Sequence, residues 1–189
     1  MSSQPARSLT LAQRAAIGVL VFLLLLLIGL QTAHAGEIVP SIGFARMTGN
    51  TDTPMFYGVA LRGPMAPKLK SELGVSWQHQ DAENGAVTLK SMPVTFSVWS
   101  TLAPNLYFGG GTGIYYDEVS YKSGLGLPST KDHHWAYHVG GGFNMPMSPV
   151  TALDLQGRYV FRDAKPTAIG SGKIDPSGWT AAAGVVFKY

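Results

Sequence analysis

Six polar residues carry most of the chemistry this chain could do: Glu72, His138, Asp154, Gln156, Arg158 and Lys188. Arg62, Lys70 and Lys90 belong beside them. In Leu153-Asp-Leu-Gln-Gly-Arg158 polar residues alternate with apolar ones or glycine, so on an extended strand Asp154, Gln156 and Arg158 share one face. Glu72 stands likewise with Gly74, Ser76 and Gln78, opposite Leu73, Val75 and Trp77. Charges gathered on an interior face must pair, because burying one alone is costly. Two chemistries follow: a salt-bridged plug, or a polar path in which rearranged pairs admit ions or small solutes. Glu72, Asp154 and Arg158 lie mid-strand and are expected at the centre of either.

Other chemistries fit poorly. There is no cysteine, which excludes disulfides and thiolate metal sites. Asp132-His133-His134 and His79-Gln80-Asp81 place imidazoles beside carboxylates. Adjacent side chains on an extended chain point in opposite directions, however, and a metal needs three or four convergent ligands. No metal and no cofactor is expected. Gly170-Ser-Gly-Lys-Ile174 looks like the end of a phosphate-binding loop, but Thr167 stands where its first glycine belongs and no Ser or Thr follows Lys173.

The elements that must position these residues are strands. Eight segments have strand length, and nothing between them has helical period: Glu37–Met47, Met55–Arg62, Leu69–His79, Val87–Trp99, Leu106–Tyr116, Trp135–Asn144, Thr151–Phe161 and Gly178–Tyr189. Most match the 9–11 residues a tilted strand needs to cross a bilayer. After the second, fourth and sixth the connections are short and proline-bearing: Gly63–Lys68, Ser100–Asn105 and Met145–Val150. The others are mostly polar, and Asp117–His134 and Arg162–Ser177 are long. Short turns on the side of the termini and long loops opposite are what an even-stranded membrane barrel predicts. Trp77, Trp135, Tyr159, Phe161, Trp179, Phe187 and Tyr189 fall on apolar faces near strand tips. Amphipathic rings settle there at membrane interfaces, so these seven are expected to form an aromatic girdle. In the fourth segment Leu89 and Val94 fall on opposite parities, so a bulge is expected around Ser91-Met-Pro93. The glycine-dense fifth segment shows no face.

The N-terminus predicts export. Arg7 and Arg14 precede an apolar run from Ile17 to Leu30, and Ala33-His-Ala35 supplies a small-x-small cleavage site. The run is short for a spanning helix, so an uncleaved anchor is the lesser alternative. Residues 1–35 are therefore expected to be a signal peptide and residues 36–189 the barrel. With the two leader arginines set aside, acidic and basic residues nearly balance, and no basic run suggests nucleic acid.

The stretches Asn105-Leu-Tyr-Phe-Gly-Gly-Gly-Thr-Gly-Ile-Tyr-Tyr116, His138-Val-Gly-Gly-Gly-Phe143, Gly157-Arg-Tyr-Val-Phe161 and the terminal strand are loosely spaced motifs. Together they resemble the small outer-membrane β-barrel proteins typified by the OmpA membrane domain, OmpX and OmpW. The resemblance implies outer-membrane lipid and lipopolysaccharide as surroundings. It also implies periplasmic chaperones and the barrel assembly machinery as partners in biogenesis, with Tyr189 in place of the usual terminal phenylalanine. Lipid A deacylases on this fold use a His-x-Ser pair; Gln156–Phe161 has neither residue, and His138 is followed by Val139 and Gly140. Palmitoyl-transferring barrels begin with an amphipathic helix, and none is seen here.

The reading is all-β: an eight-stranded antiparallel transmembrane β-barrel, an up-and-down meander after a cleaved signal peptide, in a Gram-negative-type outer membrane. Its expected role is non-enzymatic, structural or surface-contacting, through long extracellular loops and an unidentified extracellular partner. A narrow channel for ions or small hydrophobic solutes is the alternative. A soluble exported β-barrel ligand binder and a lipid A-modifying enzyme rank lower.

Overall fold

The structure, a computed structural model, describes residues 36–48, 53–82, 87–121, 129–162 and 177–189. The proposed leader lies outside the described residues. Eight strands form one closed sheet in sequence order: β1 (Glu37–Met47), β2 (Met55–Ala66), β3 (Leu69–Ala82), β4 (Val87–Ala103), β5 (Leu106–Tyr121), β6 (Thr130–Pro146), β7 (Thr151–Arg162) and β8 (Gly178–Lys188). Every neighbouring pair is antiparallel, including β1 with β8, which closes the sheet and removes both edges.

Strand lengths differ from the sequence expectation in one consistent way. Pairing runs on into segments expected to be connections. β2 and β4 reach Ala66 and Ala103, leaving two-residue turns at Pro67-Lys68 and Pro104-Asn105, with Lys68 at a φ of 64°. The expected loop Asp117–His134 is half ladder: Asp117 pairs with Asp132 and Val119 with Thr130. Its polar composition reads as a loop, but at 16 and 17 residues β5 and β6 outrun the bilayer-crossing length, so their far ends need no apolar face. The expected loop Arg162–Ser177 falls mostly outside the described residues.

The expected bulge at Ser91–Pro93 is absent. The β4–β5 register runs unbroken from Val87↔Tyr121 through Pro93↔Tyr115 to Thr101↔Tyr107, and shifts only between Thr101 and Ala103. Proline removes one donor, and the ladder to β3 skips only from Val75↔Val94 to Gln78↔Ser91. Unbroken parity turns Ser91, Ser97 and Trp99 inward, all buried, and Lys90 outward with Met92, both exposed. Lys90 therefore leaves the set of lumenal candidates.

Side chains sort cleanly into two sets. The seven expected girdle residues all face outward, with Tyr159 least exposed at 37% and Tyr189 most at 56%. Phe187 and Tyr189 lie at the end that carries the termini and short turns. Trp77, Trp135, Tyr159, Phe161 and Trp179 lie toward the other end, where Tyr57 stacks on Trp77 at 6.0 Å and Tyr159 meets Phe161 edge-on at 4.9 Å. Between the two tiers the outward face is aliphatic, as with Ile42, Val59, Val139 and Leu155.

Inward glycines make room for large inward side chains. A Cβ on Gly142 would collide with the Tyr107 hydroxyl and approach the Leu155 carbonyl oxygen to 2.6 Å. On outward-facing Gly157 it would meet only the Thr180 carbonyl oxygen, at 3.9 Å. Gly142→Ala should therefore cost about 1–3 kcal/mol, the usual penalty of overpacking. Gly157→Ala should stay within about 0.5 kcal/mol of the parent. The comparison is read from urea midpoints of the refolded chain; equal midpoints would remove steric crowding as the reason for glycine at 142.

Candidate functional site

The lumen is crossed by a bonded cluster drawn from four strands. Glu72 on β3 has no exposed surface and accepts from two arginines: from Arg62 Nε of adjacent β2 at 2.6 Å, and from a terminal nitrogen of Arg158 on β7, across the barrel, at 2.5 Å. Arg62 extends from there to Asp154 on β7, at 2.7 Å. The other Asp154 oxygen accepts the Tyr107 hydroxyl of β5 at 2.7 Å. Gln156 closes the circuit: its amide nitrogen donates to the Tyr107 oxygen at 3.1 Å, and its carbonyl oxygen accepts Arg158 Nε at 2.9 Å. Two guanidinium and two carboxylate groups leave the cluster neutral.

Aromatic rings seal its flanks. Trp99 on β4 meets Tyr107 edge-on at 5.4 Å, and Arg158 lies over Trp99 at 5.1 Å while Arg62 lies over Tyr107 at 5.3 Å. His138 on β6 is buried beside them, 6.3 Å from Trp99, with its Nε2 hydrogen-bonded to Ser97 Oγ at 2.9 Å.

Of the six residues singled out from sequence, Glu72, Asp154, Gln156 and Arg158 are thus brought into direct contact. His138 lines the same lumen but bonds to a serine and to none of the charges. Lys188 has inward parity but lies exposed at the end of β8, outside the bonded cluster. Its strand ends at the mouth of the barrel, where a charge meets water and needs no partner. Lys70 pairs instead with Glu37 at 2.6 Å near the same mouth. Sequence reasoning missed Tyr107, Trp99 and Ser97. The signal was available: odd positions 91, 97 and 99 share one face if Pro93 is read without a bulge, and Tyr107 alternates with Gly109, Gly111 and Gly113.

Two cavities flank the cluster. One of about 50 Å³ lies toward the turns, between Arg62, Trp99, Asn144 and the Pro104-Asn105 turn. The Trp99 indole nitrogen and an Asn144 oxygen, both buried without protein partners, belong to residues of its wall. The other, of about 90 Å³, lies toward the loop end among Gln78, Thr95, Tyr115, His138, Arg158 and Arg162. Among the described residues no cluster of His, Asp and Glu has the geometry of a metal site.

Solved structures share this architecture. OprG of Pseudomonas aeruginosa matches with a TM-score of 0.58 at 14% identity, over 82% of this chain and 96% of that one. Ail, the attachment invasion locus protein of Yersinia pestis, solved with the heparin analogue sucrose octasulfate, matches at 0.56 and 14% identity, over 82% and 97%. Neisserial surface protein A matches at 0.53 and 13%, over 82% and 96%. The chain has the small outer-membrane β-barrel fold. No family model and no curated protein matches it at a significant level. At these identities the likeness is one of backbone path. What distinguishes this outer-membrane-type barrel is what its own residues place inside.

The cluster makes Glu72 the group whose loss is felt most. Its removal leaves buried Arg62 and half-buried Arg158 short of a partner, and breaking a buried pair costs about 3–5 kcal/mol. Glu72→Ala should lose that much in urea titrations monitored by the gel shift between folded and unfolded barrel. Lys188→Ala should change stability by less than about 0.5 kcal/mol. Equal effects at the two positions would show that the lumenal bonds do not hold the barrel together.

Proposed function

We propose that this protein resides in an outer membrane of Gram-negative type, exported by its N-terminal signal peptide. There it acts as a non-enzymatic barrel with a closed lumen, in a structural or surface-contacting role. The observation that carries the proposal is the cross-lumen bond between Glu72 and Arg158, with Arg62, Asp154 and Tyr107 locked to it. A lumen bridged from opposite walls by neutralised charge offers no continuous water path. Activity is then left to the outer surfaces and to the strand ends beyond the upper aromatic tier. Ladder pairing at Asp117↔Asp132 and Glu118↔Lys131 stiffens the base of one loop there, a suitable platform for an extracellular partner. Ail, whose name records attachment and which was solved with a heparin analogue, has the same barrel and supports a surface-contact reading.

The outward aromatic tiers fit the two interfaces of a bilayer, with lipopolysaccharide facing the loop end. A closed sheet without edges also fits delivery by periplasmic chaperones and the barrel assembly machinery. No catalytic constellation is proposed: His138 has Ser97 as its polar partner, but the carboxylates nearby are bound to arginines.

A narrow channel is the second reading, favoured by the cavities on both sides of the cluster. The two separate in a planar bilayer. The refolded chain, with insertion verified, should give no steps, and Asp154→Asn should remain silent because Glu72 still bridges the walls. Reproducible steps in the parent, altered by Asp154→Asn, would establish the channel and displace the plug.

A further inference from the structure

The loop-end cavity is bounded on one side by the neutral cluster and on the other by a second charged layer. Arg162, the last residue of β7, lays its guanidinium over the Tyr115 ring at 4.0 Å, and only 8% of its side chain is exposed. Among the described residues its nearest carboxylate is Asp117, 4.0 Å from one terminal nitrogen, and Asp117 is shared with His134, whose Nε2 lies 3.4 Å away. Arg162 Nε is buried and has no hydrogen-bond partner. A buried donor on a charged group is seldom left unmatched in a folded protein, and a bound ion or water is the usual resolution.

The composition of the wall decides between them. Arg158 and Arg162 both line the cavity, with His138, and among the described residues no carboxylate does. The cluster's carboxylates stand behind the arginines with all four oxygens already bonded: those of Glu72 to Arg62 and Arg158, those of Asp154 to Arg62 and Tyr107. The neutral polar groups facing the space, such as Thr95 and Gln78, can donate as well as accept. Two guanidinium groups on that wall repel a cation and attract an anion. The volume of about 90 Å³ corresponds to about half a dozen water-sized positions, which leaves room for a tetrahedral ion.

We propose that this cavity binds one small oxyanion of phosphate or sulfate size, held by the guanidinium groups of Arg162 and Arg158 on its wall. Charge-assisted bonds to an oxyanion are the strong class of hydrogen bond, and a guanidinium fork suits them geometrically. The site is independent of whether the lumen conducts, since it requires only the chamber above the cluster.

The test uses the ¹⁵N-labelled full chain refolded in zwitterionic detergent, read at its arginine Nε–Hε resonances. The Arg162 signal is assigned by its disappearance in Arg162→Lys. Sodium phosphate and sodium sulfate are titrated against sodium chloride at constant ionic strength. The expected result is a saturable shift of the Arg162 signal with either oxyanion and none with chloride. Arg162→Gln should weaken the binding followed at the Thr95 and His138 amides by about tenfold or more. The outward-facing Arg46→Gln should leave it unchanged. No shift, a shift linear in concentration, an equal response to chloride, or unchanged affinity in Arg162→Gln would each overturn the site. If Arg162→Gln does not fold, the titration of the parent chain decides alone.

Discussion

A sheet that closes on itself in eight strands has an interior just wide enough for side chains to fill. That constraint governs the rest of the molecule. The lumen can neither stay empty nor hold unpaired charge, because an unmatched ion in a narrow, poorly hydrated space is among the costliest features a fold can carry. The cluster around Glu72 satisfies both demands at once. Arg62 and Glu72 are register partners on adjacent strands, so their contact follows from hairpin pairing. Arg158 comes from the opposite wall, and its contact exists only if all eight strands close in the correct register. A slip of one residue in β7 would turn Asp154, Gln156 and Arg158 outward together. The cluster therefore links the register of distant strands to the chemistry of the lumen.

Filling the interior also explains where the glycines are. β5 presents Gly109, Gly111 and Gly113 inward, and β6 presents Gly140 and Gly142, next to the side where Trp99 and Tyr107 point in. A wall stripped of side chains on two neighbouring strands admits an indole and a phenol that a uniform wall would exclude. The Tyr107 hydroxyl then reaches Asp154 over the glycine surface. The same residues that make β5 hard to read as a strand let it deliver the aromatic floor of the plug.

Much of the architecture was legible in sequence because period-2 alternation and turn chemistry are local. β1 and the starts of β2, β3, β4, β5, β7 and β8 fall where pattern places them. What pattern missed was set by partners far away in the chain. Asp117–Tyr121 and Thr130–His134 look like loop by composition, and they pair because each strand has a neighbour to extend along. Pro93 looks like a bulge, yet register is held by the long ladders on either side. In the site, mid-strand charges on a common parity announced Glu72, Asp154, Gln156 and Arg158. Lys188 shares that parity, but parity says nothing of depth, and at the strand's end the same face opens to solvent. Tyr107 and Trp99 were obscured because an apolar aromatic on an inward face contradicts the simple rule of apolar-out, polar-in.

The geometry of the cluster also bears on how the lumen could open. The Arg62–Glu72 bond joins neighbouring strands and obstructs little by itself; the bonds that bar the lumen are Glu72 to Arg158 and Arg62 to Asp154. Opening means parting those two while the barrel stays closed. Without a replacement partner, Arg158 is left as a buried charge, at a cost of about 3–5 kcal/mol. By mass action that leaves the open form at about one molecule in 150 to one in several thousand. Gln156 offers Arg158 a neutral oxygen but cannot supply the missing charge. The space into which Arg158 would swing is lined by Arg162 and, among the described residues, by no carboxylate, so moving there brings two like charges closer together. Both terms act in the same direction and favour the plug. A conducting state of this barrel would therefore require an anion, from solution or from a rearranged side chain, to take over the role that Glu72 now fills.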